Sequence, residues 1–82
     1  YNIAAVEVED CLLQHPAVAE CAVIGVPDAE RGQIVKAFVV LREGHGPGDT
    51  MVRELQDFAK RTVAPYKYPR AIEFREQLPR TE

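Results

Sequence analysis

The segment Val18–Leu41, which reads VAECAVIGVPDAERGQIVKAFVVL, decides the fold of this chain. It contains two runs rich in Val and Ile, Val18–Val26 and Ile34–Leu41, separated by a stretch with Pro, Asp and Gly that is typical of a turn. We predict that the two runs are β-strands and pair as an antiparallel hairpin. Each run carries nonpolar residues at successive positions, so both faces of the hairpin need cover from other elements.

One helix is predicted before the hairpin in the sequence and another after it. In Ala5–His15 nonpolar residues recur at helical spacing, and Pro16 ends the pattern because proline cannot continue a helix. Residues 51–63 follow the i, i+3, i+4, i+7 pattern of a second helix, and a proline two residues later terminates it. Either Asp49 or Thr50 is the expected N-cap.

The remaining segments complete a small α+β domain. Residues 42–49 include three glycines and are predicted to form a flexible surface loop. Arg70–Phe74 alternates nonpolar and charged residues and is predicted to be a short third strand at a sheet edge. The predicted order is α-β-β-α-β, with the helices packed on a small mixed sheet. Residues 1–82 are expected to form a single domain, because a chain of this length holds one thin core.

The charge distribution argues against nucleic acid as a partner. The formal net charge is -3, whereas electrostatic nucleic-acid binders are usually basic. The chain has six acidic and no basic residues up to Glu30, and ten basic and seven acidic residues from Arg31 onward. This basic second part fits either a face for a phosphorylated ligand or a solvated mixture of charges.

The sequence lacks the patterns of membrane-spanning, secreted and metal-binding proteins. No nonpolar run is long enough to cross a bilayer, and the sequence opens without the pattern of a signal peptide, so we expect a cytoplasmic location and no membrane partner. Cys11 and Cys21 lie in nonpolar sequence without a second pair, so we expect reduced packing residues and no metal site.

The sequence contains no self-contained active site. Ser is absent, and neither His15 nor His45 has a plausible catalytic companion nearby in the sequence. The glycine-rich loop lacks the Gly-Lys-Ser or Gly-Lys-Thr of a phosphate-binding loop. We therefore predict no catalytic residue within the chain.

Three segments nevertheless stand out from ordinary core and loop sequence. They are Tyr1-Asn2-Ile3 with Glu7-Val8-Glu9, Gly25-Val26-Pro27-Asp28 with Arg31-Gly32-Gln33 and Lys36-Ala37, and Ala64-Pro65-Tyr66-Lys67-Tyr68-Pro69-Arg70 with Leu78-Pro79-Arg80-Thr81. In this order and spacing they resemble the C-terminal domain of the adenylate-forming ligases, the superfamily that includes acyl-CoA synthetases. The residues of these segments are most similar to those of aryl and medium-chain acyl-CoA ligases, such as benzoate and 2-aminobenzoate CoA ligases.

The resemblance implies an AMP-forming carboxylate–CoA ligase with ATP and CoA as substrates and Mg in the full-length enzyme. A carboxylate first attacks the α-phosphate of ATP to give an acyl-adenylate and pyrophosphate, and the CoA thiol then displaces AMP. The implied partner is the large N-terminal domain of the same protein, which holds the acid and ATP. The small domain rotates between two orientations, one for each half-reaction.

The resemblance also assigns roles to the first residues of the chain and to a lysine that the chain lacks. Tyr1, Asn2 and Ile3 match a family loop whose extended backbone lines the tunnel for the pantetheine arm of CoA. The family's catalytic lysine would lie a few positions beyond Glu82. The sequence therefore looks like a domain trimmed at both ends, inactive by itself.

Two loop cations are candidate contacts for CoA phosphates or for the large domain. Arg31 lies in the predicted hairpin turn and Lys67 in the third family segment, and phosphate recognition requires a cation. An alternative that fits both residues equally well is that they are solvated loop cations with no ligand contact. Tyr66 and Tyr68 are expected to pack this segment against the sheet.

Two alternatives come from other functional classes. The element order and a glycine-containing loop are shared with an RNA-binding KH-like module, but a KH module needs a Gly-x-x-Gly turn between two helices. Here the glycines occupy alternate positions of a loop that connects a strand to a helix. A regulatory or oligomerisation module is the other alternative, and the two-sided nonpolar strands favour it.

Overall fold

The computed structural model describes residues 3–79 and confirms the α-β-β-α-β order of an α+β fold. Two helices and three strands account for the regular structure of these residues. Their bounds are α1 Ile3–Leu12, β1 Val18–Asp28, β2 Gly32–Leu41, α2 Asp49–Thr62 and β3 Ala71–Phe74.

The three strands form one mixed sheet in the order β1-β2-β3. β1 and β2 pair antiparallel from Val18 opposite Leu41 to Asp28 opposite Gly32, which confirms the predicted hairpin. β3 runs parallel to β2 and lies at the sheet edge, as its short alternating sequence predicts. The 64–70 segment, which leads into β3, therefore lies toward the hairpin-turn end of the sheet.

Both helices pack on one face of the sheet. Val8 and Leu12 of α1 and Leu55 of α2 are fully buried against strand residues that include Ala37 and Val39. The opposite face carries Ile24, whose side chain is 45% exposed. Neither described helix reaches this second face, so the expectation that both faces need cover stays a prediction for it.

Helix α1 ends three residues before the predicted end at His15. The chain turns at this point, with the Gln14 N–H donating to the Cys11 carbonyl at 3.0 Å. The side chain of His15 is buried, and its Nδ1 accepts a hydrogen bond from the Ala17 N–H at 3.0 Å. The imidazole thus organises the turn into β1, a role that a lone histidine at a helix end does not reveal in sequence.

The same imidazole connects this turn to α2. Its Nε2 lies 2.8 Å from Oε2 of Glu54, and its ring meets the ring of Phe58 edge-on with centroids 5.0 Å apart. Because Nδ1 accepts a hydrogen bond, the neutral ring carries its proton on Nε2 and donates it toward Glu54. His15 therefore helps to fix α2 relative to the sheet.

The start of α2 differs from the sequence prediction. Gly48 is the N-cap, with φ of 137° and no side-chain capping bond, so the prediction of Asp49 or Thr50 is wrong. The positive φ is readily available only to glycine and lets the loop turn into the helix. Asp49 instead begins the first turn, where its charge is favourable to the helix dipole.

The two cysteines are free and buried, which confirms that they are packing residues. Burial raises the pKa of the Cys21 thiol to about 12, and the negative charge of Glu9 adds to this shift. Its thiolate is therefore scarce at neutral pH, and a reactive role for Cys21 has no support.

Candidate functional site

The candidate site is the 64–70 loop, whose C-terminal end is held by burial and by hydrogen bonds. Pro69 is fully buried, and its carbonyl accepts a hydrogen bond from Nε2 of Gln56 on α2 at 3.0 Å. The next residue, Arg70, donates its N–H to the Val35 carbonyl of β2 at 3.0 Å. The loop is therefore attached to both the sheet and a helix before β3 begins.

Lys67 lies in this loop and is paired with an acid. Its Nζ is 2.8 Å from Oε1 of Glu7 on α1, and one third of the Lys67 side chain is exposed. The hydrogen bond and the charge of Glu7 raise the pKa of Lys67. The ammonium group is therefore charged at neutral pH, and it ties the loop to α1 while remaining open to solvent on one side.

The two tyrosines of the loop behave differently. Tyr68 is half-buried. Lys60 Nζ of α2 and the guanidinium of Arg70 in the same loop lie 4.4 and 4.6 Å from its ring centroid, so the ring packs against α2 and the loop itself, whereas packing against the sheet was expected. The prediction that Tyr66 packs is wrong, because its side chain is 73% exposed. The Lys67 N–H donates to the Ala64 carbonyl at 3.0 Å, and this turn places Tyr66 at its tip.

Arg31 lies in the turn between β1 and β2, and two acids accompany it. Oδ2 of Asp28 accepts the N–H groups of Glu30 and Arg31 at 3.2 and 2.9 Å, which shapes the turn. Nη1 of Arg31 lies 4.0 Å from Asp28 Oδ2 and 3.9 Å from Glu30 Oε1. These carboxylates reduce the positive potential that Arg31 offers to an anion.

Arg31 and Lys67 lie toward the same end of the sheet. The loop that carries Lys67 is bonded to β2 at Val35, four residues along the chain from Arg31. At the usual rise of a strand this separation is about 13 Å along β2.

Of the first three residues, Ile3 lies within the described part of the chain. Tyr1 and Asn2 lie outside the described residues. Ile3 begins α1, so the expectation of extended backbone at Ile3 is wrong. Because the helix begins at Ile3, less extended backbone is available to line a tunnel than the family resemblance implies.

A polar cluster that sequence reasoning missed lies on the second face of the sheet. Glu73 accepts from Lys36 Nζ at 3.1 Å through Oε1 and from Arg75 Nη2 at 2.8 Å through Oε2. These two cations lower the pKa of Glu73, and both also lie about 5 Å from the ring centroid of Phe38. The alternation of β2 and the parallel register of β3 create this cluster, but only the alternation is visible in sequence.

The described residues provide no cluster of three or more His, Cys, Asp or Glu side chains suited to a metal ion. Among the same residues, no helix is long and nonpolar enough to span a bilayer. The site geometry is thus one of charged and aromatic surface loops, suited to contact with another body.

The AMP-binding enzyme C-terminal domain family matches residues 7–82, and this chain belongs to that family. Among curated relatives, 4-hydroxybutyrate–CoA ligase 1 of Metallosphaera sedula is 49% identical over 81 residues, covering 99% of this chain and 14% of the relative. Human mitochondrial acyl-coenzyme A synthetase ACSM3 is 49% identical over 83 residues, with the same coverage of both chains. The chain thus spans about one seventh of the length of these relatives.

Solved structures show the same similarity. Brucella canis acyl-CoA synthetase superposes with a TM-score of 0.92 at 46% identity, covering 99% of this chain and 15% of that chain. The anthranilate CoA ligase AuaEII, solved with anthranoyl-AMP, gives 0.82 at 48% identity, covering 94% and 15%. Benzoate CoA ligase from Burkholderia xenovorans gives 0.83 at 47% identity, covering 94% and 16%. The resemblance inferred from sequence is confirmed, and a KH-like or regulatory module is not favoured.

Proposed function

We propose that this chain is the mobile C-terminal domain of an ATP-dependent carboxylate–CoA ligase. The observation that carries the proposal is the family match over residues 7–82, together with the close superposition on an acyl-CoA synthetase. The site agrees with this role, because its charged groups lie on surface loops. Such a domain acts by meeting a second domain that holds the reacting groups.

The proposed reaction has two steps. A carboxylate oxygen attacks the α-phosphate of ATP and releases pyrophosphate, and the thiol of CoA then attacks the acyl carbonyl and releases AMP. Magnesium, when bound with ATP, neutralises phosphate charge during the first step. The described residues of this chain include no ligand cluster for it, so we assign the metal and ATP to the large N-terminal domain.

Within this reaction we assign Arg31 and Lys67 to the CoA step. Each is a partly exposed cation whose neighbouring carboxylate an incoming phosphate can replace. Lys67 is the better placed of the two, since only one carboxylate, that of Glu7, competes with a phosphate for its ammonium among the described contacts. Arg31 faces two acids, so it is expected to contribute less.

The remaining assignments concern residues outside the described part of the chain. Tyr1 and Asn2, with Ile3 at the helix start, are proposed to line the path of the pantetheine arm. The lysine that neutralises charge during adenylation is proposed to follow Glu82 in the full-length enzyme. No catalytic residue is assigned within residues 3–79.

The acid substrate is proposed to be an aryl or medium-chain carboxylate. This proposal rests on similarity to enzymes named for benzoate and anthranilate and to acyl-coenzyme A synthetases of the mitochondrial type. The relative named for 4-hydroxybutyrate, a short hydroxy acid, is as similar to this chain as the mitochondrial synthetase is, at 49% identity. The acid pocket itself is assigned to the large domain.

A substrate panel tests the proposal in the full-length enzyme. We expect pyrophosphate release that depends on both ATP and a carboxylate, followed by CoA-dependent formation of AMP and a thioester. The panel should contain benzoate, 2-aminobenzoate and straight-chain acids from butanoate to decanoate. Thioester formation only with acids outside the panel would refute the substrate class, and no carboxylate-dependent pyrophosphate release would refute the ligase.

A further inference from the structure

Two residues after Lys67, the carbonyl of Pro69 takes its hydrogen bond from a side chain. The pairing of β3 with β2 starts at Ala71, opposite Lys36, so Pro69 lies outside the ladder. Pro69 is fully buried, and a buried carbonyl needs a donor. That donor is Nε2 of Gln56 on α2, at 3.0 Å. The helix therefore holds the backbone just before the third strand.

The backbone from Pro69 back to Lys67 is short and stiff. The ring of Pro69 fixes its own φ, and the residue before a proline is restricted to extended conformations. At the other end of this stretch, the Lys67 N–H donates to the Ala64 carbonyl at 3.0 Å and closes a turn. A displacement of the Pro69 carbonyl therefore moves the backbone of Lys67 with it.

The position that Lys67 offers to a ligand depends on this backbone. Its Nζ lies 2.8 Å from Oε1 of Glu7, but a phosphate that binds the ammonium group takes the place of that carboxylate. Once the contact with Glu7 is replaced, the backbone of the 64–70 loop sets where the ammonium group lies. The hydrogen bond from Gln56 is the connection of this backbone to α2.

The residue type at position 56 suits this task. Gln56 is half-buried on α2, between the buried Leu55 and the exposed Asp57. An amide donates to a carbonyl without the desolvation cost of a charged donor, and it brings no charge that competes for a phosphate. A methionine at this position would be similar in length, but it would leave the buried carbonyl without a donor.

We infer that Gln56 is a positioning residue for the CoA step: its amide holds the Pro69 carbonyl and thereby places Lys67 for the phosphate groups of CoA. The inference rests on the proposed function, from which it takes the role of Lys67. Gln56 acts through the loop and needs no contact with CoA. Its loss should therefore weaken the use of CoA and leave the formation of acyl-adenylate unaffected.

Kinetics of the full-length ligase test the inference with Gln56→Met. We expect the KM for CoA to rise about two- to fivefold, while kcat and the single-turnover rate of acyl-adenylate formation without CoA stay within about twofold. Gln56→His keeps an N–H donor at a similar distance from the helix and should restore the parent KM. Gln14→Met is the matched control, because it makes the same substitution at an exposed position after α1, and it should leave this KM unchanged.

A double variant shows whether Gln56 acts through Lys67. Residues that act through one another have non-additive effects, so adding Gln56→Met to Lys67→Gln should change the KM for CoA by less than about 1.5-fold. If Gln56→Met lowers the melting temperature, Gln56→Glu gives the second measurement. It also removes the donor, and its charge supports the helix through Lys60, four residues further on.

Three results would overturn the inference. The first is an unchanged KM for CoA in both Gln56→Met and Gln56→Glu. The second is an equal slowing of acyl-adenylate formation and acyl transfer, because Gln56 would then only stabilise the fold. The third is a full multiplication of the two effects in the double variant. Pyrophosphate release and thioester formation by the parent enzyme are measured first, so failure of the proposed function is distinguishable from failure of this inference.

Discussion

Replacing His15 by Ala should destabilise the isolated 82-residue chain far more than its position at a helix end suggests. The buried Ala17 N–H would lose its acceptor, which costs about 1–3 kcal/mol. The edge contact with Phe58 would also be lost, which contributes about 0.5–1.5 kcal/mol. We therefore expect the free energy of unfolding to fall by about 1.5–4.5 kcal/mol.

Two variants separate the buried hydrogen bond from the partly exposed contact with Glu54. Glu54→Gln keeps the imidazole in place, and because the Glu54 side chain is 52% exposed it should cost less than about 1 kcal/mol. His15→Asn offers an amide oxygen that can accept the Ala17 N–H and should recover about 1 kcal/mol relative to His15→Ala.

Urea unfolding followed by circular dichroism measures all three variants under identical conditions. A melting curve gives a second reading, since each kcal/mol shifts the midpoint of a domain of this size by about 4–8 °C. Equal losses for His15→Ala and Glu54→Gln would refute the reasoning, because the effect would then come from the Glu54 contact. A loss below about 0.5 kcal/mol for His15→Ala would refute the role of His15 altogether.

Three further predictions concern function in the full-length ligase. Lys67→Gln should raise the KM for CoA about three- to tenfold. Glu7→Gln breaks the same ion pair but keeps the cation, so it should leave this KM unchanged. Equal increases in KM for the two variants would show that the ion pair matters only for loop structure. Deleting His45 and Gly46 should leave the steady-state rate within about twofold, because this loop lacks a core anchor, while a large loss with normal folding would contradict this view. Asn2→Pro should leave burst formation of acyl-adenylate intact and slow transfer to CoA by about one to two orders of magnitude, and the opposite pattern would exclude this segment from the CoA step.

The fold was largely predictable because its signals are local. The two Val- and Ile-rich runs, the turn between them and the alternation of the last strand each act over a few residues, and the structure confirms these elements. The hairpin strands extend two residues further into the turn than predicted, to Asp28 and from Gly32. The N-cap was mispredicted because side-chain preference pointed to Asp49 or Thr50. Backbone conformation instead selected Gly48, which tolerates positive φ. Local patterns do not report which of several capping solutions a loop adopts.

The candidate site was predictable only as a set of residues. Sequence placed Lys67 in a loop, but its partner Glu7 is 60 positions away and depends on how α1 packs. The pairing of Lys36 with Glu73 likewise requires the parallel register of β3, which no local pattern specifies. Long-range pairing therefore decided which cations are available to a ligand, and the sequence alone left that open.

The central claim, that this domain serves the CoA step of a ligase, is tested most directly by single-turnover acyl transfer. Preformed acyl-adenylate is bound to the full-length enzyme or to the large domain lacking residues 1–82 and everything after them, and CoA is then added. We predict that transfer falls by about two orders of magnitude or more without this domain, while the adenylate stays bound. Transfer at the full-length rate by the truncated enzyme would contradict the claim.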